Sequence, residues 1–149
     1  MALLTREPID LLLLQGTAAA DGALCLFVGV VRDHHQGRRV LRLEYEAYEE
    51  MALPLLERIE RQALQRWPVS AVRIVHRLGP LEVGAASVAV GVCSAHRDEA
   101  FAACRWAIDT LKATVPIWKK EYGEDGAVWM EGPGTCTPDP GALERPERS

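Results

Sequence analysis

The stretch Val72-Arg-Ile-Val-His-Arg-Leu-Gly-Pro-Leu-Glu-Val-Gly-Ala-Ala-Ser-Val-Ala-Val-Gly-Val92 decides the fold. Val72, Ile74 and His76 alternate with Arg73 and Val75, the period-two pattern of a strand with two unlike faces. Gly79-Pro80 and Gly84 interrupt the pattern, and residues 87–92 resume as a second β-rich run, so the two runs pair as an antiparallel hairpin. Working outward, residues 49–67 place Met51, Leu55, Ile59, Ala63 and Trp67 at helical spacing, with Glu57, Arg58, Glu60 and Arg61 opposite. Pro54 belongs near the first turn of that helix or kinks it. On the far side of the hairpin, residues 98–113 form a second long helix, with Phe101, Cys104, Ile108 and Leu111 inward and Pro116 as the stop. Upstream, residues 23–31 are a continuous apolar strand, residues 32–39 an exposed charged loop and residues 41–47 a strand with one buried face. Residues 8–14 suggest a short helix with Thr5 as a possible cap. Residues 126–131 suggest a last strand, and the Pro- and Gly-rich residues 132–149 a flexible tail. The expected organisation is one domain over residues 1–131.

A chain of 149 residues and 16.4 kDa can bury a full core without disulfides or metals. Its 17 basic against 21 acidic residues argue against a phosphate backbone as main partner, so no nucleic acid is expected. Arg6, Glu7, Pro8 and Asp10 interrupt the apolar N-terminal run, and nothing approaches the ~20 apolar residues of a membrane span. A soluble, cytoplasmic protein with no membrane association is expected. Cys25, Cys93, Cys104 and Cys136 are widely spaced without a CxxC pair, so neither zinc nor a disulfide framework is signalled.

The chemistry gathers in lysine. Lys112, Lys119 and Lys120 are the only lysines, all within residues 111–121, whereas arginine supplies every other basic side chain. Arginine stays charged in proteins; a lysine that is desolvated or set beside another cation can release its proton. Pro116 turns the chain and Ile117-Trp118 anchors it, so a pinned loop can aim two lysines at one cleft. Lys112, in the last turn of its helix, also has a structural explanation in the helix dipole. At the other end of that helix, His96 and Arg97 precede free backbone N–H groups suited to a phosphate. Arg32 is a further candidate anion ligand, with a solvated loop charge as the plainer reading.

Phe27-Val-Gly-Val-Val-Arg-Asp33, Leu43-Glu-Tyr-Glu-Ala-Tyr48, His76-Arg-Leu-Gly79, Ser94-Ala-His-Arg97 and Leu111-Lys112 with Pro116-Ile-Trp-Lys-Lys-Glu121 resemble, in order, the catalytic (large) subunit family of molybdopterin synthase. The resemblance covers about residues 22–131. It implies an α+β fold, a hammerhead-like, mainly antiparallel sheet with two long flanking helices. It also implies a sulfurtransferase that converts cyclic pyranopterin monophosphate to molybdopterin. Sulfur comes from the thiocarboxylated C-terminal glycine of a small ubiquitin-like subunit, and a homodimer of large subunits sits within a heterotetramer. By the same resemblance Lys112 and Lys119 are catalytic, and Val30, Val31, Arg32, His96, Arg97, Lys120 and Glu121 bind substrate. No metal or resident cofactor is implied. Opening a cyclic phosphate and attacking with sulfur both require proton transfer and stabilised negative charge, which lysine can supply. The residues alone also fit a Schiff-base lysine lyase or aldolase acting on a phosphorylated small molecule, or a non-catalytic dimeric binding module.

Overall fold

A computed structural model describes residues 2–130 of the chain. Its strands are, in chain order, β1 (Leu3–Thr5), β2 (Ala23–Val30), β3 (His34–His35), β4 (Arg38–Arg39), β5 (Arg42–Ala47), β6 (Val69–Arg77), β7 (Gly79–Glu82), β8 (Ala86–Ser94), β9 (Ile117–Gly123) and β10 (Gly126–Met130). Two long helices, α1 (Glu49–Arg66) and α2 (Arg97–Thr114), complete the frame. One sheet has the order β1-β6-β8-β2 and the other β10-β9-β5-β7, while β3 and β4 form a separate hairpin. Every pairing is antiparallel except β1 with β6. The chain thus has the expected α+β class, a mainly antiparallel sheet structure with two long helices.

The hairpin of residues 72–92 forms as β6 and β8, with Val72 opposite Val92 and Ile74 opposite Val90. Its central strand β8 is buried from Ser87 to Ser94, which matches its uninterrupted run of small and β-branched residues. Ile59, Ala63, Ala103, Cys104 and Ala107 of the two helices close over Ile74, Val90 and Val92 in the main core. Trp67 and Trp106 pack with ring centroids 5.5 Å apart where the helices meet. On the opposite face a 3₁₀ turn, Leu11–Leu14, lays Leu14 against Val75 and Ala89. Gly91 allows this approach, because a Cβ there would stand 2.8 Å from the Leu14 carbonyl oxygen.

Several local expectations are corrected. The helix expected over residues 8–14 is only this 3₁₀ turn, and Asp10 caps it by accepting from the Leu12 N–H at 3.0 Å. Thr5 lies in β1, where the parallel edge of β6 offers more hydrogen bonds than a short isolated helix would gain. The connection at residues 79–82 is a strand, β7, that leaves the first sheet and pairs with β5 in the second. The loop expected at residues 117–121 is β9, paired on both sides. The loop at residues 32–39 contains the β3–β4 hairpin, whose turn holds Gln36 at φ 53° and Gly37 at φ 76°. On α1 the buried positions are Ala52, Leu56, Ile59, Glu60 and Ala63, one residue out of phase with the expected stripe at its start, and Met51 is exposed. Phe101 on α2 is 62% exposed rather than inward. Pro54 lies inside α1 past its first turn. The expected tail, 132–149, lies outside the described residues. Among the described residues no helix is long and apolar enough to cross a membrane.

Candidate active site

Where the two sheets meet beside the end of α2, a cavity of about 150 Å³ opens between β2, β5, β8 and β9. Strand alternation on β9 decides what enters it. Lys119 and Glu121 line the cavity, whereas Lys120 lies on the other face beneath Tyr122 and Trp129, its Nζ 5.4 and 5.1 Å from their ring centroids. β5 places Tyr45 opposite Lys119 and Leu43 opposite Glu121, so both cross-strand partners also face inward. The last turn of α2 brings Lys112 to the mouth, and β2 delivers Phe27, Gly29 and Val30, with Arg32 just beyond its end.

The electrostatics centre on a buried carboxylate. Glu121 has a side chain only 2% exposed, and three nitrogen-bearing side chains surround it: His35 Nδ1 at 2.9 Å, Arg38 Nη1 at 3.6 Å and Lys119 Nζ at 3.8 Å. The His35 contact is a close approach without hydrogen-bond geometry, and His35 Nδ1 makes no hydrogen bond. Burial pulls the Lys119 ammonium below the ordinary lysine pKa; Glu121 opposes the shift, and Lys112 and Arg32 reinforce it. Burial likewise raises the Tyr45 phenol, against a hydrogen bond with Ser87 and with the help of Glu121. Behind the cavity His76 is buried edge-on against Tyr45, with centroids 5.2 Å apart, and its Nδ1 donates to the Arg77 carbonyl at 2.8 Å. Burial depresses the His76 pKa to about 4, with a smaller push from Lys112. His76 is therefore a neutral packing residue at pH 7.

Of the residues singled out from the sequence, the structure brings Val30, Arg32, Lys112, Lys119 and Glu121 to one cavity. Val31 instead packs in a small core with Val40, Leu43 and Leu81, its N–H donating to the Ala85 carbonyl. Lys120 is turned away by the strand pleat. His96 and Arg97 are exposed at the opposite end of α2, about 24 Å of helix from Lys112. His96 makes no capping hydrogen bond, and Asp98 and Glu99 occupy the first turn, where they already complement the helix dipole. Sequence reasoning missed Tyr45, Ser87 and His35 as site residues. Tyr45 carried a usable signal, since it lies on the buried face of an alternating strand where a phenol needs a partner. Only tertiary folding reveals His35.

Fold and cavity together define an α+β protein that presents amine side chains, one of them with a lowered pKa, to a small cavity. The family model described as MoaE protein matches residues 4–114, and the chain belongs to this family. It is 46% identical over 116 residues to the molybdopterin synthase catalytic subunit of Pyrococcus abyssi, covering 78% of each chain. To the human protein of the same name it is 47% identical over 108 residues, 72% of this chain and 57% of that one. Molybdopterin synthase from Staphylococcus aureus superposes with a TM-score of 0.82 at 38% identity, over 86% of this chain and 95% of that one. A Helicobacter pylori structure, a complex of subunits 1 and 2 of molybdopterin-converting factor, shares the fold alone, with a TM-score of 0.74 at 21% identity.

Proposed function

We propose that the chain is the catalytic subunit of a molybdopterin synthase, converting cyclic pyranopterin monophosphate to molybdopterin with sulfur from a small ubiquitin-like partner. The observation that carries this reading is the cavity itself, in which Lys112, Lys119 and Arg32 converge beside a buried carboxylate. Lys119 is the group able to accept and return a proton, because burial favours its neutral amine. Lys112 and Arg32 oppose the negative charge that develops as sulfur attacks and the cyclic phosphate opens. The sulfur donor is a C-terminal glycine thiocarboxylate; a thin, extended C-terminus fits a narrow cavity walled by Phe27 and Val30, with its anionic sulfur beside the lysines. No resident cofactor is needed for that chemistry, and the cytoplasm is where the reaction is placed.

Homodimerisation belongs to the same reading. If His96 and Arg97 bind the substrate phosphate, they must reach a cavity other than the one at the far end of their own helix, and a second copy is the simplest supplier. The H. pylori complex of subunits 1 and 2 supports a small protein partner. The test is reconstitution: purified protein, a thiocarboxylated small subunit and the pterin precursor yield a dithiolene. Borohydride trapping of a carbonyl substrate on Lys112 or Lys119, with no dithiolene formed, would instead favour Schiff-base chemistry.

A further inference from the structure

We propose that the β3–β4 hairpin is a positioning device for the cavity: His35 and Arg38 clamp the buried Glu121 carboxylate, and Glu121 fixes Lys119, so these three act through the lysine and do not hold substrate. This deepens the proposed sulfur-transfer function and rests on it for its catalytic consequence. The geometry is specific to the hairpin. Its tight turn places His35 and Arg38 directly opposite each other as a cross-strand pair, and the two reach different oxygens of one carboxylate, Oε2 and Oε1.

Arg38 is itself anchored. Its Nε and Nη2 donate to Asp125 Oδ1 at 3.2 and 3.0 Å, and Nη2 donates to the Gly126 carbonyl at 2.8 Å. The guanidinium therefore ties the hairpin to the β9–β10 turn while its third nitrogen faces Glu121. Gly123 leaves the room, since a Cβ there would stand 2.8 Å from Arg38 Nη2. The Glu121 side chain is only 2% exposed, and the hairpin approaches both of its oxygens. Among the described residues its remaining ion-pair partner is Lys119.

The charged and titratable groups facing Lys119 are Glu121 on its own strand, Lys112 from α2, Arg32 beyond β2 and Tyr45 from β5, with His35 and Arg38 behind Glu121. The Asp33–His34 pair sits exposed at the rim. Removing the Glu121 charge should ease proton loss from Lys119. Removing His35 and Arg38 should do the reverse, by leaving Glu121 to Lys119 alone and by deleting the nearby Arg38 cation.

The chain has only three lysines, so ε-¹³C-lysine labelling gives three signals, and Lys119→Arg identifies the one that matters. In the full-length protein, Glu121→Gln should lower the Lys119 titration midpoint, and the double variant His35→Asn/Arg38→Gln should raise it. In the sulfur-transfer assay both variants should lose about tenfold or more in kcat at unchanged KM for the pterin. An unmoved Lys119 signal in both variants overturns the clamp. So does a raised KM at unchanged kcat for Glu121→Gln, which would return Glu121 to the substrate. Should Glu121→Gln fail to fold, the double variant carries the test, because its two side chains are partly exposed. The titration needs no substrate, so opposite shifts in a protein that forms no dithiolene would sink the proposed function and leave the clamp standing.

Discussion

Lys119 and Lys120 are adjacent in the chain and opposite in circumstance. Lys120 rests over aromatic rings on the outer face of its sheet, whereas Lys119 is half-buried among cations with a depressed pKa. Lys119→Arg therefore keeps a charge but loses the neutral amine, and sulfur transfer should fall to the level of Lys119→Ala; Lys120→Ala should keep most of it. Lys112→Arg asks a different question, since Lys112 is exposed at the mouth and its charge alone would serve an anion. Recovery of much of the wild-type rate by Lys112→Arg, with Lys112→Ala inactive, is the expected outcome, and a parallel assay of the two variants checks it. His76 governs a separate property. Its folded pKa of about 4 lies below its unfolded value, so between roughly pH 6.5 and 4 the unfolded chain binds the extra proton. Stability from this group is full above about pH 6.5 and is lost as pH falls, by about 3 kcal/mol in all. Urea denaturation at pH 7 and pH 4.5 should show the loss in the wild type and a smaller one in His76→Phe.

At the scale of elements, Gly91 shows how one missing side chain sets the packing of a whole segment. A Cβ at this position would meet the Leu14 carbonyl oxygen and Cβ at 2.8 and 3.0 Å, so Gly91→Ala should lift the 3₁₀ turn from the sheet. The expected cost is about 1–3 kcal/mol in urea denaturation, with little change in sulfur transfer, because the cavity lies on other elements. The elements legible from sequence were those with an apolar run or a periodic pattern: β2, β5, β6, β8, β10, α2 and the extent of α1. β7 and β9 were hidden by Pro80 and Pro116, which read as breakers, although an edge strand tolerates one proline and a strand can start just after another. With β9 read as a loop, its alternation was invisible, and Lys120 was grouped with Lys119 although the pleat separates them. The tight β3–β4 hairpin is too short to leave a periodic signal, so His35 and Arg38 passed as loop charges. Lys112, Lys119 and Arg32 were legible because unusual lysine usage and family resemblance both point at chemistry, which depends less on exact boundaries than packing does.

For the whole molecule the decisive length is that of α2. Its 18 residues hold Lys112 at one end, with His96 as its cap at the other, and a rigid helix of that length cannot bring both ends to one small cavity. Within one chain, then, the amine site and the proposed phosphate site are separate, and in the proposed dimer a second copy joins them for one substrate. This gives a test that needs no structure of the dimer. Lys119→Ala and Arg97→Ala should each be inactive as purified homodimers. Mixed and allowed to exchange subunits, they should regain activity, because each mixed dimer holds one cavity with an intact Lys119 from one copy and an intact Arg97 from the other. Random exchange makes half of the dimers mixed and leaves one of their two cavities intact, so recovery should approach about a quarter of the wild-type rate. A mixture as inactive as its components, with exchange verified by mass-tagged subunits, would place both residues in the service of a single chain and remove the dimer from the mechanism.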